Sequence, residues 1–138
     1  MSRILVVANR TLCEQHLIDE LRERRRRAPA VVTLLVPASR PSGSWTDAQA
    51  EEEARGRLDD MLETLAAAGI GALGAIGDAD PVVAVDDLLR EQSFDEIVVS
   101  TLPAGLSRWL AANAVRRIRA HTGVPVTHVV AERVATEV

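Results

Sequence analysis

Lysine is absent from this sequence of 138 residues, and all 16 of its basic residues are arginine. This absence excludes a phosphate-binding loop of the Walker type, Schiff-base chemistry and a lysine general base. Tyrosine is also absent and aromatic residues make up 2% of the chain, so stacking platforms for single-stranded nucleic acid are missing. The formal charge of −4 also argues against a nucleic-acid partner, because nucleic-acid-binding domains are usually strongly basic.

Cysteine occurs once, at Cys13, which excludes an intrachain disulfide and a cysteine metal cluster. Long apolar runs are missing too: residues 28–38 are far shorter than the roughly 20 residues that span a bilayer. The first ten residues lack a signal-peptide layout, because Arg3 and Arg10 flank an apolar run of strand length. We therefore expect a cytoplasmic protein that has no membrane partner.

Five short apolar segments alternate with four amphipathic ones. The predicted strands are residues 4–8, 30–36, 71–76, 97–99 and 124–130. Between them, apolar residues recur at spacings of three and four, which is typical of helices with one buried face. The order βαβαβαβαβ predicts a single α/β domain over residues 1–138, with a doubly wound, parallel, five-stranded sheet and helices on both faces. The third strand is rich in glycine and alanine, which suits a sheet edge.

Local signals predict where two of the helices begin. Thr11 is followed by Glu14, and Thr46 is followed by Gln49, at the spacing of a capping box. In such a box, the side chains of the first and fourth residues satisfy N–H groups that the first helical turn leaves unpaired. Gly69 is placed to end the second helix.

Asp80 precedes Pro81, and this pair predicts the start of the third helix, with Asp80 as its N-cap. Asp78 and Asp80 could alternatively be metal ligands, but two carboxylates without a third ligand favour the cap. The three histidines are not at metal-ligand spacing. We therefore predict no metal site.

The first helix ends in four consecutive arginines, residues 24–27. One interpretation is an anion-binding patch. The favoured alternative is a solvated last turn, whose positive charge suits the negative end of the helix.

A polar turn follows the fourth predicted strand and leads into the last helix. In an open α/β sheet, ligands bind outside the carboxyl ends of strands, beside helix N-termini that present free N–H groups. Two interpretations stay open: a site for a small anion or peptide, or a turn in which Ser107 caps the helix and the other polar groups are solvated. The candidate ligand-binding residues are Asn9, Arg10, Ser100, Thr101, Ser107, Arg108 and Asn113.

Several segments, in this order and at these spacings, resemble the universal stress protein family over essentially the whole chain. They are residues 4–8 (Ile-Leu-Val-Val-Ala), 77–81, 95–99 (Asp-Glu-Ile-Val-Val), 105–108 (Gly-Leu-Ser-Arg) and 123–126 (Gly-Val-Pro-Val). The resemblance implies a Rossmann-like sheet of order 3-2-1-4-5. It also implies a ligand crevice between the first and fourth strands.

Nucleotide-binding members of that family carry glycines in this turn: Gly, two residues, Gly, nine residues, then Gly followed by Ser or Thr. Counted from position 100, the residues here are Ser100, Pro103, Asn113 and Ala114, and anchoring on residues 105–108 shifts the last pair to Ala112 and Asn113. Every motif glycine is therefore replaced. Glycine permits positive φ and a close approach of backbone to phosphate, whereas Pro103 has no N–H to offer. The acidic residue that the family often carries after its first strand is Asn9 here.

The sequence thus predicts a non-catalytic, stress-response-type binding protein with a degenerate nucleotide site, which acts through a small ligand or a protein partner. The alternatives are an ATP- or AMP-binding protein or adenylate-handling enzyme of the same fold group, and a plain interaction module. No cofactor is assigned, and ATP or AMP is disfavoured. The last strand, residues 124–131, is an apolar sheet edge in the implied order, and relatives commonly pair through it, so we expect a homodimer.

Overall fold

The computed structural model describes residues 1–8, 15–38, 46–101 and 114–130, with the backbone alone at positions 47, 101 and 130. Within these residues, strands and helices alternate as predicted. In chain order they are β1 (Ser2–Ala8), α1 (Gln15–Arg27), β2 (Ala30–Pro37), α2 (Asp47–Ala67), β3 (Ala72–Gly77), α3 (Pro81–Glu91), β4 (Glu96–Thr101), α4 (Val115–His121) and β5 (Val126–Val130).

The strands form one sheet of order β3-β2-β1-β4-β5, and all of its pairings are parallel. The central strand β1 pairs with β2 on one side and with β4 on the other. The chain therefore winds outward from β1 in one direction and then, after β3, returns to build the other half. The fold class and the strand order implied by the family resemblance are confirmed.

Side chains of β1 point alternately into two apolar clusters on opposite faces of the sheet. Ile4 and Val6 pack with residues of α1 and α2, whereas Leu5 and Val7 pack with residues of α3 and α4. A strand has a side-chain period of two, so a strand that is covered on both faces is apolar at every position. This is why residues 4–8 read as a continuous apolar run.

Capping at the start of α2 follows the prediction. Thr46 Oγ1 accepts a hydrogen bond from the Gln49 N–H at 3.1 Å, and Gln49 Oε1 accepts one from the Thr46 N–H at 2.9 Å. Beyond the end of this helix, Gly69 adopts a φ of 85°, which favours glycine. The other predicted capping box, Thr11 with Glu14, lies outside the described residues.

Strand β4 is longer than predicted. Ser100 and Thr101 were expected in a turn, but they continue the strand, and that part of the prediction is wrong. Ser100 pairs with Ala8 of β1 and with Val129 of β5, so ladders on both sides hold the backbone extended.

Strand β5 begins at Val126, two residues later than predicted. Pro125 has no N–H to give to a ladder, and the N–H of Val124 donates to Thr122 Oγ1 at 3.1 Å instead. Hydrogen bonding in the preceding turn therefore delays the start of the strand.

A partly buried ion pair fixes α1 against the sheet. Arg24 donates from Nε to Glu96 Oε1 at 2.8 Å and from Nη2 to Glu96 Oε2 at 2.7 Å, which is the two-bond geometry that a guanidinium forms with a carboxylate. Thr127 Oγ1 donates to Glu96 Oε2 at 2.9 Å, and Glu20 Oε1 accepts from Arg24 Nη1 at 2.6 Å. The cluster thus joins α1, β4 and β5. Hydrogen bonds from Arg24 lower the pKa of Glu96 below its ordinary value of 4.5.

We expect Glu96→Gln to lower the free energy of unfolding by about 1.5–3 kcal/mol at neutral pH, the scale of hydrogen bonds to a charged group. Because folding lowers the pKa of Glu96, its contribution is complete above pH 4.5 and is lost as the pH falls through the lowered value. Urea unfolding of both proteins across this range measures the difference. Glu52→Gln, on the exposed side of α2, is the matched control. If the difference in free energy of unfolding between wild type and Glu96→Gln stayed constant with pH, the assignment to the Glu96 carboxylate would be contradicted.

Close packing at the end of β3 requires glycine. A Cβ built on Gly77 would lie 2.7 Å from the Cβ of Ala84 in α3 and 3.2 Å from Leu35 Cδ1. Helix α3 therefore approaches the sheet more closely here than an alanine permits. A Cβ on Gly56, on the exposed side of α2, would meet nothing within 4 Å.

We expect Gly77→Ala to destabilise the protein by about 1–3 kcal/mol, because α3 must shift away from β3 to admit the methyl group. Gly56→Ala is the control, and it should instead stabilise by about 0.5–1 kcal/mol through helix propensity. Thermal and urea unfolding of both variants test the pair. Equal effects of the two substitutions would rule out the close contact as the cause.

Candidate functional site

The carboxyl ends of β1 and β4 lie side by side at the position where the sheet changes its direction of winding. Ala8, the last residue of β1, pairs with Ser100 of β4. The described helices that come after these two strands pack on opposite faces of the sheet, α1 on one face and α4 on the other. A crevice between such strands is the usual ligand position in open α/β sheets.

Two of the seven predicted site residues belong to the described part of the chain. Ser100 and Thr101 form the last two residues of β4, and only the backbone of Thr101 is described. The other five predicted residues lie outside the described residues: Asn9, Arg10, Ser107, Arg108 and Asn113. The structure therefore gives a position for the Ser100 side chain alone.

Ser100 is 1% exposed, and its Oγ has no hydrogen-bond partner among the described residues. The parallel pairing places its side chain between those of Ala8 and Val129, on the face of the sheet that α1 covers. A serine hydroxyl can both donate and accept, and leaving it unpaired in the interior costs free energy. The carboxyl end of β4 therefore carries a buried polar group.

A depression lies at the same edge of the sheet, beyond the ends of β2 and β3. This cavity of about 520 Å³ is lined by Ala38, Ile76 and the carboxylates of Glu51, Asp78 and Asp87, among others. In the part of the chain that the structure describes, no group of three acidic, histidine or cysteine residues is arranged to hold a metal ion. This cavity could not be predicted from the sequence, because its lining comes from α2, β3, α3 and the segments beside them.

Asp80 caps α3, as predicted. Its Oδ1 accepts from the Val82 N–H at 2.9 Å, and Pro81 occupies the first helical turn. Burial opposes the charged carboxylate, but hydrogen bonds from Arg117 and Val82 outweigh it and lower the pKa of Asp80. The contact between Arg117 Nη2 and Asp80 Oδ2, 3.0 Å long, also ties α4 to the start of α3.

The arginine run at the end of α1 is bound to acceptors of the protein itself. Arg24 is held by Glu96, while Arg26 and Arg27 both pair with Glu23. Arg25 Nη1 donates to the carbonyl of Gly69 at 2.9 Å, just beyond the end of α2. A solvated last turn therefore describes the outer arginines, whereas Arg24 has a structural role that neither interpretation included.

Two histidines border another depression, a cavity of about 430 Å³ between α1 and β5. Its lining comprises His16, Asp19, Glu20, Thr127, His128 and Val129. Burial and the positive charge of Arg119 lower the pKa of His128 below its ordinary value of 6.5. The spacing of these histidines in the sequence gives no sign that they border one cavity, because α1 and β5 are far apart in the chain.

None of the helices within the described ranges combines the length and the apolar character that crossing a membrane requires.

Comparison with solved structures shows the fold to be that of the universal stress proteins. A universal stress protein from Archaeoglobus fulgidus, solved in complex with dAMP, is 16% identical with a TM-score of 0.63, over 93% of this chain and 98% of that one. A family member from Arabidopsis thaliana with AMP bound is 14% identical with a TM-score of 0.61, over 96% of this chain and 93% of that one.

A universal stress protein in complex with cAMP is 18% identical with a TM-score of 0.63, over 93% of this chain and 97% of that one. No protein-family model matches the sequence, and no curated protein matches it. The likeness is thus one of fold, at low sequence identity. It confirms the resemblance seen in the sequence at that level.

Proposed function

We propose that this chain is a non-catalytic, stress-response-type binding protein of the cytoplasm, which acts through a small ligand or a protein partner at the carboxyl ends of β1 and β4. The supporting observation is the buried Ser100 hydroxyl, which has no hydrogen-bond partner among the described residues. Buried polar groups in native proteins nearly always have a partner, and an exception at the usual ligand position of the fold favours a group that a ligand completes.

The nucleotide site is degenerate in this proposal. The resemblance to universal stress proteins implies a phosphate-binding motif that begins at the end of β4, and here Ser100, Pro103 and Asn113 stand in the positions of its glycines while Ala114 stands in the position of its final Ser or Thr. A proline offers no N–H, and side chains at the other positions prevent the close approach of backbone to a triphosphate.

A small anion suits the residue types that remain. Thr101 and Ser107 bring further hydroxyls to the same stretch of sequence, and Arg108 brings a planar guanidinium that binds phosphate, sulfate or carboxylate through two hydrogen bonds. Asn9 and Arg10 follow β1 directly in the sequence and complete the proposed set. These groups favour a ligand that is smaller than a nucleoside triphosphate.

Binding of an adenine nucleotide is the second candidate function. The observation that favours it is that three structures of the same fold contain dAMP, AMP or cAMP. A monophosphate needs fewer hydrogen-bond donors from the turn than a triphosphate does, because it presents one phosphate group rather than three. The two candidates therefore differ in whether the adenosine moiety contributes to binding.

We expect phosphate or sulfate to raise the melting temperature, and ATP with magnesium to raise it no further than inorganic phosphate does. A ligand present at about 100 times its dissociation constant adds about 2.7 kcal/mol to stability. Thermal-shift and calorimetric titrations with phosphate, sulfate, AMP and ATP make the comparison. Tighter binding of AMP than of phosphate would favour the second candidate, and turnover of ATP would overturn the non-catalytic role.

Ser100→Ala is the variant for this titration. It should weaken anion binding by about 1.5–3 kcal/mol, the scale of a hydrogen bond to a charged group, while the ligand-free protein keeps its stability or gains slightly. Ser2→Ala, at the opposite end of the sheet, is the matched control and should bind as the wild type does. If Ser100→Ala binds the anion as tightly as the wild type does, Ser100 does not belong to the binding site.

We also propose that the protein is a homodimer joined through β5. Within the described residues, β5 is one edge of the sheet, and its pairing side opposite β4 is open. An edge strand with apolar residues is a template for another strand, and a second copy of β5 offers the same length and pattern. The other edge, β3, is the alternative surface, because Leu73 lies there with 61% of its surface exposed.

Light scattering should give about twice the mass of one chain for the wild type. Val130→Arg places a charge at the end of β5 and should yield monomers, whereas Leu73→Arg places the same charge on β3 and should leave the dimer intact. The two substitutions differ only in which edge they block. Dissociation by Leu73→Arg alone would assign the contact to β3, and a monomeric wild type would exclude the homodimer.

A further inference from the structure

Strand β3 forms one end of the sheet, and within the described residues the side of its backbone opposite β2 is open. The carbonyl of Gly77 accepts a hydrogen bond at 3.0 Å from the N–H of Ala38, the residue after β2. The main-chain groups of Gly77 therefore point toward β2. Because this direction alternates along a strand, those of Ala72, Gly74 and Ile76 point toward the open side. Each of these three residues can donate one hydrogen bond and accept another from a further strand.

The side chains of β3 leave this open side accessible. Gly74, in the middle of the strand, is exposed and has no side chain that could cover the main chain. On the opposite face of the sheet, Leu73 has 61% of its surface exposed, although Thr33, its partner in β2, is buried. A side chain of a further strand would lie beside Leu73, with the two Cβ atoms about 4.5–5.5 Å apart, and would cover it. The edge therefore offers a main-chain ladder and one apolar contact.

Carboxylates lie at the carboxyl end of this edge. The cavity of about 520 Å³ beside Ile76 is bordered by Glu51 of α2, by Asp87 of α3 and by Asp78 in the turn between β3 and α3. Asp78 Oδ1 accepts from the N–H of Asp80 at 2.9 Å, which holds this carboxylate in the turn. Among the described residues that line the cavity, none is basic. An uncharged strand edge thus leads into a negatively charged depression.

This combination of charges determines which strand suits the edge. A second copy of β3 brings no basic side chain to the carboxylates, because its residues Ala72–Gly77 are all uncharged. The chain as a whole carries a formal charge of −4, so two copies repel each other weakly at long range. An extended segment with basic side chains meets both requirements, since its main chain continues the ladder and its cations pair with the carboxylates.

We infer that the open edge of β3 binds an extended, basic segment of another protein, which adds a strand to the sheet. The segment pairs with the three outward-pointing residues of β3, and its basic side chains reach the three carboxylates of the cavity. Six residues at a rise of about 3.3 Å span about 20 Å, so a segment of roughly that length covers the edge. An apolar residue of the segment packs beside Leu73.

Main-chain pairing and charge have different roles in this interaction. Hydrogen bonds along the ladder supply affinity for any extended chain, whereas an exposed ion pair adds little free energy. Charge instead selects the partner, because a basic segment associates faster and an acidic one is repelled. The edge is separated from β4 by β2 and β1, so its test is independent of ligand binding at the ends of β1 and β4.

Calorimetric titration of the full chain with synthetic peptides tests the inference. The probe is a peptide of about eight residues in which arginine and valine alternate, with both ends blocked, so that it can cover the strand. The control peptide carries glutamate in place of arginine. We expect the basic peptide to bind and the acidic one to give no heat of binding. Raising the salt concentration from about 0.05 M to about 0.5 M should weaken binding severalfold, because salt screens exposed charges.

Two measurements distinguish strand pairing from attraction between charges alone. The same basic peptide with every main-chain nitrogen methylated keeps its charges but has no donor for a ladder, and it should bind at least tenfold more weakly. Hydrogen exchange followed by NMR should show the N–H groups of Ala72, Gly74 and Ile76 slowed at least tenfold by the unmethylated peptide. The N–H groups of β5, at the other edge, should exchange as they do without peptide.

A pair of neutralised carboxylates locates the charge contribution. Glu51→Gln with Asp87→Asn removes two carboxylates of the cavity, and the basic peptide should then bind roughly three- to tenfold more weakly, the effect of two exposed ion pairs. Asp60→Asn with Glu63→Gln is the matched control, because it removes two exposed carboxylates of α2 that do not border the cavity. This control should bind the peptide as the wild type does.

Absence of binding by the basic peptide would overturn the inference, and so would equal binding of its methylated form or unchanged hydrogen exchange in β3. Equal weakening by the two double variants would show that net charge, rather than this edge, attracts the peptide, and would also overturn it. Dissociation of a homodimer by Leu73→Arg would assign the edge to a second copy instead. If the Glu51 and Asp87 double variant does not fold, hydrogen exchange of the wild type decides the matter.

Discussion

Main-chain hydrogen bonding along both sides of β1 determines where everything else in this molecule lies. Interior N–H and C=O groups need partners, and β1 finds them in β2 on one side and β4 on the other. Because these neighbours belong to halves of the chain that wind in opposite directions, α1 and α4 lie on different faces of the sheet. The carboxyl ends of β1 and β4 lie side by side as a consequence of that pairing, with Ser100 opposite Ala8.

The Arg24–Glu96 contact fixes the position of α1 over the sheet. Apolar packing alone holds a helix against a sheet without specifying how far it slides along the strands. A guanidinium that meets one carboxylate through two bonds does specify this, and Thr127 extends the same contact to β5. The cluster lies at the amino ends of β4 and β5, whereas Ser100 lies near the carboxyl end of β4.

Features that depend on neighbours in sequence could be predicted, and features that depend on distant neighbours could not. The caps at Thr46 and Asp80 each involve residues two or three positions apart, so their spacing was sufficient. The sequence predicts a turn at Ser100, because the neighbours that hold it in the strand, Ala8 and Val129, are remote in the chain. For the same reason the sequence located the polar end of β4 but gave no sign that the Ser100 hydroxyl is buried. Apolar periodicity gave the strands and helices, whereas their order came only from the likeness to a known family.

Strand β3 has a consequence for the behaviour of the chain before it is fully folded. Its six residues, Ala72–Gly77, include no charged side chain, no proline and no bulge, which are the devices that commonly protect the edge of a sheet. In the native protein this edge is short and lies beside the charged helix α2. Unpaired strand edges are surfaces through which partly folded chains aggregate. We therefore expect recovery of the protein from denaturant to improve on dilution, which separates the chains before this edge can pair with another.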